Sequence, residues 1–313
     1  MIFAGIDTSN YTTSVALIDD GENLLANIKI PLPVAKGERG LRQSEAVFAH
    51  VKNLPVAMGY VSEVLGGRKI DAVGVSEKPR NLEGSYMPCF LSGVVAAQSL
   101  AALGAVPIFR FSHQCGHIMA AVYSSGAFEL LDGEFAAFHV SGGTTELLRV
   151  SYLEGVGFSA DLVGGTRDLN AGQVIDRVGV AMGMSFPCGA EMEKAALEYT
   201  GKIPKKKVSF CGMEVNLSGL ENMALKLYSE TGDKGLTSAF VLDYIGGAIE
   251  KMSEEYEGNF GKSRFVYAGG VMSNSIIKAR LAKRFDAFFA EPAMSSDNAV
   301  GIAYLTKRAY FSE

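Results

Sequence analysis

The stretch Phe135-Ala-Ala-Phe-His-Val-Ser-Gly-Gly-Thr-Thr-Glu-Leu-Leu-Arg-Val150 reads as two apolar strands around a small polar turn. Gly142 and Gly143 let backbone N–H groups come close to an anion, and Ser141, Thr144 and Thr145 add hydroxyls, a combination suited to phosphates. The chain opens in the same way, with Phe3-Ala-Gly-Ile-Asp-Thr-Ser-Asn-Tyr-Thr-Thr-Ser-Val-Ala-Leu17. The two stretches read as related halves.

Around the first of them, residues 2–7, 13–18 and 23–30 predict three strands, with Pro31 and Pro33 breaking the third. Helical spacing over 46–65 follows, with Pro55 kinking or dividing it, then a strand at 70–75 and a loop at 81–88. An Ala-rich helix at 90–103, a strand at 106–111 and a Ser112-capped helix to Tyr123 complete the block. The second half repeats this order: strands at 135–140, 145–151 and 158–163, and a helix at 168–182. A mostly helical region to Tyr256 has one strand excursion near 208–215; a buried strand at 264–268 then runs into Gly269-Gly270 and a helix at 273–284. After a strand at 287–290, Ser295 or Ser296 is the expected cap of a final helix over 299–309. Two such blocks imply two similar α/β domains, 1–130 and 131–313, with a nucleotide cleft between them and the C-terminal helix, about 295–309, near the interface. This is similar to the actin-like (ASKHA, ribonuclease H-like) superfold.

Composition sets the class. With 313 residues, 48% of them hydrophobic, each domain can bury a substantial core. No basic segment precedes the first strand, so no secretory signal is expected. The apolar window 90–106 carries Ser92, Gln98 and Ser99, which fits a buried helix better than a membrane span. A cytoplasmic protein without a membrane partner is the expectation. Cys89, Cys115, Cys188 and Cys211 show no Cys-x-x-Cys spacing and read as buried free thiols. A net charge of -5 predicts no broad attraction to nucleic acid, and the cluster Lys202, Lys205, Lys206 and Lys207 reads as a solvated loop.

The sharpest chemical signal is His113 and His117, four apart on a predicted helix, where both imidazoles project from one face and can share a metal ion. An ordinary pair of helix histidines is the competing reading. Gln114, Cys115 and Gly116 fill the interval, so the glutamate of the zinc-protease His-Glu-x-x-His pattern is absent and with it that protease's general base. Asp297 is a candidate third ligand or a helix-start carboxylate. Gly269-Gly270 followed by Asn274 suits either a nucleotide-binding turn or a plain strand-to-helix turn. Asp168 and Asp176 lie two turns apart, as chemical groups or as a cap and a solvated carboxylate.

Taken together, these residues resemble the tRNA threonylcarbamoyladenosine transferases of the TsaD type, formerly called O-sialoglycoprotein endopeptidases. The resemblance spans nearly the whole chain. It rests on Gly5-Ile-Asp-Thr-Ser9, His113-x-x-x-His117, Val140-Ser-Gly-Gly-Thr-Thr145, Asp168-x-x-Ala-Gly-Gln-x-x-Asp176, Pro187-Cys-Gly189, Leu217-Ser-Gly-Leu220, Gly269-Gly-Val-x-x-Asn274 and Ser296-Asp-Asn298. It implies an enzyme, a transferase and not a protease, moving a threonylcarbamoyl group from its AMP adduct to N6 of a tRNA adenosine. Iron or zinc on His113, His117 and Asp297, one ion per chain, is implied with it. So is ATP or threonylcarbamoyl-AMP on Ser141, Gly142 and Gly143, with further contacts at Asp176, Gly189 and Asn274. Asp7 and Ser141 are the expected catalytic residues, with magnesium an additional candidate ion. The implied partners are the nucleotide, tRNA and other subunits of a threonylcarbamoyl-transfer complex. Tyr11 and Thr12 stand where the family carries an acidic pair, and Thr144 where it has histidine. Glu77–Ser85 replaces its glycine-proline-glycine loop, and Leu169 and Gln173 replace acidic residues. These departures keep three alternatives in view: a different acceptor, a noncatalytic scaffold, and a small-molecule kinase using Asp7 for magnesium.

Overall fold

The computed structural model describes residues 1–9, 11–33, 41–295 and 297–312, and in it each strand-turn-strand stretch begins a sheet. β1 (Ile2–Ser9) pairs antiparallel with β2 (Thr12–Asp19), and β2 antiparallel with β3 (Leu24–Pro31). On the other side of β1, β4 (Ala72–Lys78) and β5 (Ile108–Ser112) run parallel, giving the order β3-β2-β1-β4-β5. Parallel neighbours need crossover connections, which α1 (Gln43–Leu65) and α2 (Phe90–Gly104) supply. Pro55 lies inside α1 without dividing it. α3 (His113–Ser125) follows β5.

β1 is buried along its whole length because helices cover both its faces. A Cβ on Gly93 of α2 would meet Thr8 and Ile6, whereas one on Gly5 would meet the backbone of α9 (Val300–Ser312). Alternation along the strand puts these contacts on opposite sides. Residues 3, 6 and 17 bury Phe, Ile and Leu completely, each worth roughly 1.5–3 kcal/mol of transfer free energy.

The second sheet repeats the first. β6 (Glu134–Val140), β7 (Thr145–Leu153), β8 (Gly157–Thr166), β11 (Arg264–Ala268) and β12 (Asp286–Phe289) fall in the order β12-β11-β6-β7-β8, which continues to the short strands β10 (Glu214–Val215) and β9 (Phe210–Cys211). Matching β6, β7, β8, β11 and β12 to β1 through β5 reproduces the same order, so the duplication read from the sequence holds. α4 (Ala171–Ala181), α5 (Gly189–Glu198), α6 (Ser218–Thr231), α7 (Lys234–Phe260) and α8 (Ser275–Ala282) complete this half. Its core stacks Phe138 on Tyr267 with ring centroids 5.1 Å apart.

Three expectations are corrected. The chain divides into one unit of Met1–Ser124, Ser151–Ser159 and Met294–Glu313 and another of Ser125–Val150 and Ala160–Ala293, so the last helix belongs to the first unit and not to a domain of 131–313. The cause is packing: Gly5, Gly74 and Gly116 each leave room for α9 on the first sheet and on α3. The final helix is capped by Asn298, whose Oδ1 accepts from Val300 N–H at 3.0 Å, rather than by Ser295; Ser296 lies outside the described residues. Of the four free cysteines, Cys89, Cys115 and Cys188 are buried as expected but Cys211 is exposed on an edge strand. Among the described residues no helix is long and apolar enough to cross a membrane.

Candidate functional site

α3 begins where β5 ends, and Ser112 fixes that point: its hydroxyl accepts from Cys115 N–H at 3.2 Å. One helical turn then separates His113 from His117, and their Nε2 atoms lie 2.9 Å apart. Asp297 Oδ1 is 3.3 Å from His117 Nε2 and 3.7 Å from His113 Nε2. Tetrahedral ligands about 2.0–2.1 Å from a metal are separated by roughly 3.3 Å, and the three spacings straddle that value. Two imidazoles and one carboxylate form the one group among the described residues that can hold a metal ion.

Behind His113 lies Asp7, 1% exposed. Its Oδ2 takes His113 Nδ1 at 2.7 Å and Ser76 Oγ at 2.6 Å, and its Oδ1 accepts from Ser9 N–H at 3.0 Å. Burial alone would raise the Asp7 carboxyl, but the His113 charge and the hydrogen bonds from His113, Ser76 and Ser9 outweigh it and hold it well below the carboxylate range. Burial likewise opposes the His113 imidazolium, yet the Asp7 charge and hydrogen bond, with Asp297 adding to them, push it up to about 9. The Asp297 carboxyl is lowered: burial opposes this, and His117 and His113 outweigh it. The arrangement favours positive charge where the two Nε2 atoms face, as a proton or as a metal ion, and the donor set fits iron or zinc. A carboxylate bonded to the far nitrogen of a ligand histidine is the usual outer partner of such a centre. Asp7, expected as catalytic, is thus buried with both oxygens engaged by Ser9, Ser76 and His113.

Glycines set the approach of the two ligand-bearing segments. A Cβ on Gly301 would strike the Gly116 carbonyl, and one on Gly116 would press on Ile302, so α3 and α9 meet backbone to backbone. Ser14 Oγ accepts from Ala299 N–H at 2.8 Å and fixes the start of α9 just after Asp297. Cys115 points away from the centre: its sulfur accepts from Phe158 N–H at 3.3 Å and from Asn81 Nδ2 at 3.2 Å.

In the second unit, Ser141-Gly142-Gly143 turns between β6 and β7, with Ser141 N–H donating to Thr144 O at 2.8 Å. The start of α4 packs on this turn: Gly172 N–H donates to Ser141 O at 3.2 Å, and Ala171 N–H to Thr145 Oγ1 at 3.0 Å. A Cβ at Gly172 would collide with the Ser141 backbone, so that glycine serves the fold. Gly142 and Gly143 have open space where a Cβ would lie and are not in the positive-φ region, so nothing internal requires glycine there. That is what an external ligand touching bare backbone requires. Gly189 and Gly270 are open in the same way, and Gly269 at φ 101° packs on the Val140 backbone, bringing its turn beside the Ser141 turn.

Asp176 and Asn274 have structural partners as well. Asp176 Oδ1 accepts from Cys188 N–H at 2.9 Å, and Asn274 Oδ1 caps α8 by accepting from Ile276 and Ile277 N–H. Asp168 does not begin α4, which Asn170 caps; it accepts from Leu217 N–H at 2.7 Å and from the Ser218 N–H and hydroxyl at the start of α6. The structure brings together the two histidines and Asp297 named from the sequence, whereas Ser76 and the close packing of the glycines were missed there. Small residues at Gly5, Gly116 and Gly301 were the available signal.

Two duplicated α/β units, one with a convergent His-His-Asp group and one with an open glycine turn between sheet and helix, define the chain as an actin-like α/β protein. The chain belongs to the tRNA N6-adenosine threonylcarbamoyltransferase (TsaD) family, which matches residues 24–304. Solved structures agree on the fold. Full-length HypF in its phosphate- and nucleotide-bound form superposes with a TM-score of 0.62 at 11% identity, over 99% of this chain and 47% of HypF, so the chain spans about half of that protein's length. The activator of 2-hydroxyisocaproyl-CoA dehydratase from Clostridium difficile with bound ADPNP gives 0.53 at 13% identity, covering 100% of this chain and 97% of the activator. A ROK family glucokinase from Streptomyces griseus with glucose and AMPPNP gives 0.52 at 12%, covering 98% and 99%.

Proposed function

We propose that the chain is a cytoplasmic threonylcarbamoyl transferase, acting from threonylcarbamoyl-AMP on N6 of an adenosine in tRNA, with one iron or zinc ion on His113, His117 and Asp297. The observation that carries the reading is the convergence of those three ligand atoms with His113 Nδ1 bound to buried Asp7. A bound ion supplies Lewis-acid polarisation of a carbamoyl oxygen. Asp7 fixes the tautomer and orientation of His113 so that the Nε2 lone pair faces the centre, a positioning role in place of a catalytic one. Ser141 and the N–H groups of Gly142 and Gly143 are assigned to the phosphate, and Asp176, Gly189 and Asn274 to the rest of the nucleotide. Gly143 N–H now reaches Ser141 Oγ at 3.2 Å on the exposed surface and is released at little cost. Partner subunits of a transfer complex belong to the same proposal.

A different acceptor is the second reading, favoured by Tyr11, which is 45% exposed at the β1–β2 turn. A phenol there offers a flat apolar contact where the resembled motif has acidic groups. The kinase reading loses support, since it gives the histidine pair no role and needs an open Asp7 for magnesium.

The test is transfer of labelled threonine into unmodified tRNA with ATP, bicarbonate, the adenylate-forming enzyme and partner proteins, beside an ordinary family member. Incorporation that disappears in His113→Ala is expected. No incorporation beside a working control contradicts the tRNA reaction.

A further inference from the structure

Outside the centres described above, the second unit contains a cavity of about 260 Å³ between the segment 204–210, α7 and α8. Its lining is unusual for a chain of net charge -5: Lys206, Lys207, Lys251 and Arg280 against the single carboxylate of Asp243. Two of these cations are already matched. Arg280 reaches Glu250 and Asp243, and Lys251 reaches Glu254 and Glu255. Lys206 and Lys207 have no acidic partner among the described residues, and both are exposed at the rim.

The apolar wall is aromatic. Phe210, Phe240 and Tyr244 line the same space. Tyr244 is held in place by Ser209 N–H, which donates to its hydroxyl at 3.2 Å and so ties the lysine-bearing segment to α7. Unmatched cations beside aromatic faces are the combination that takes a phosphate together with a flat ring. The volume falls just below the usual range for small-molecule pockets, about 300–1,000 Å³, which suits a ligand of about nucleotide size. A base inside a duplex cannot present its face to such a wall, whereas an unpaired one can.

We propose that this cavity binds one unpaired nucleotide of an RNA strand, its phosphate on Lys206 and Lys207 and its base against the partly exposed Phe210. Only the choice of RNA over a free nucleotide rests on the transferase reading. The cavity and its chemistry stand without it.

The experiment is fluorescence anisotropy of a labelled single-stranded RNA ten-mer with the full chain, across a salt series, with unlabelled 5′-AMP as competitor. The double charge reversal K206E/K207E is expected to weaken binding at least tenfold and to flatten the salt slope by about 0.7 per lost phosphate contact. Phe210→Ala is expected to weaken it about fivefold or more with the slope unchanged. Lys226→Glu, on exposed α6, controls for general charge. Absence of RNA binding, equal losses in K226E and K206E/K207E, or an unchanged affinity in K206E/K207E overturns the proposal. Loss of AMP binding alone in K206E/K207E also overturns it, moving the site to free nucleotides. Because the readout is binding, failed threonine transfer with charge-sensitive RNA binding contradicts the reaction and leaves this site standing.

Discussion

Asp7 and Asp168 show how one residue type does different work according to its partners. His113 and His117 were legible from their spacing, because one helical turn always stacks such a pair. Asp7 was not, since a carboxylate in an apolar strand looks alike in sequence whether it reacts or supports a neighbour. With Ser76, Ser9 and His113 occupying its oxygens, Asp7→Asn is expected to keep the fold and to lower metal affinity about 10- to 100-fold, read by competition with a chelating dye. Asp168 acts at long range by tying the segment before α4 to the start of α6. Burial works against its charge, but the bonds from Ser218, Leu217 and Leu169 prevail and bring it down to about 2. A carboxyl depressed in the folded state stabilises above its unfolded pKa of about 3.9 and loses that contribution as pH falls through the folded value. Thermal melts are therefore expected to drop between pH 4 and about 2, and Asp168→Asn to flatten that part of the profile. An identical acid limb in both proteins counts against this role.

Among the elements, strand and helix identity followed from periodicity and turn residues, and most departures lie at the ends. α4 starts at Ala171 and not at 168 because Asn170 and Gln173 form its capping box, leaving Asp168 to the loop. Pro55 failed to divide α1, whose buried positions Ala46, His50, Leu54, Ala57 and Val61 hold one continuous face. The Ser141-Gly142-Gly143 turn proposed to take the phosphate was legible from its glycines, although the structure separates Gly172, needed by the fold, from Gly142 and Gly143, which are not. Close helix packing was not legible, because it depends on which glycines of α3 and α9 meet. Gly301→Val forces those helices apart where backbone meets backbone, an overpacking that costs about 1–3 kcal/mol. Its expected signature is a lower melting temperature together with reduced metal binding. Gly142→Ala, in open space, is expected to leave both unchanged and to weaken nucleotide binding in a titration with ADP.

For the whole molecule, the duplicated sheet order was visible as a repeated strand-turn-strand pattern followed by alternating helix and strand. What the linear pattern hid was the return of the C-terminal segment: chain order assigns the last helix to the second block, whereas its apolar face is buried on β1 and β4 of the first. The proposed centre depends on that return, since it joins positions 113 and 117 to position 297. Removing any one ligand leaves two, too few for a stable iron or zinc site. The direct test is elemental analysis of the purified chain beside His113→Ala, His117→Ala and Asp297→Ala, each checked for folding by circular dichroism. The account predicts one iron or zinc ion per folded chain and its loss from all three variants. A full complement of metal in the folded variants, or a wild-type chain that binds neither ion when supplied with both, contradicts it.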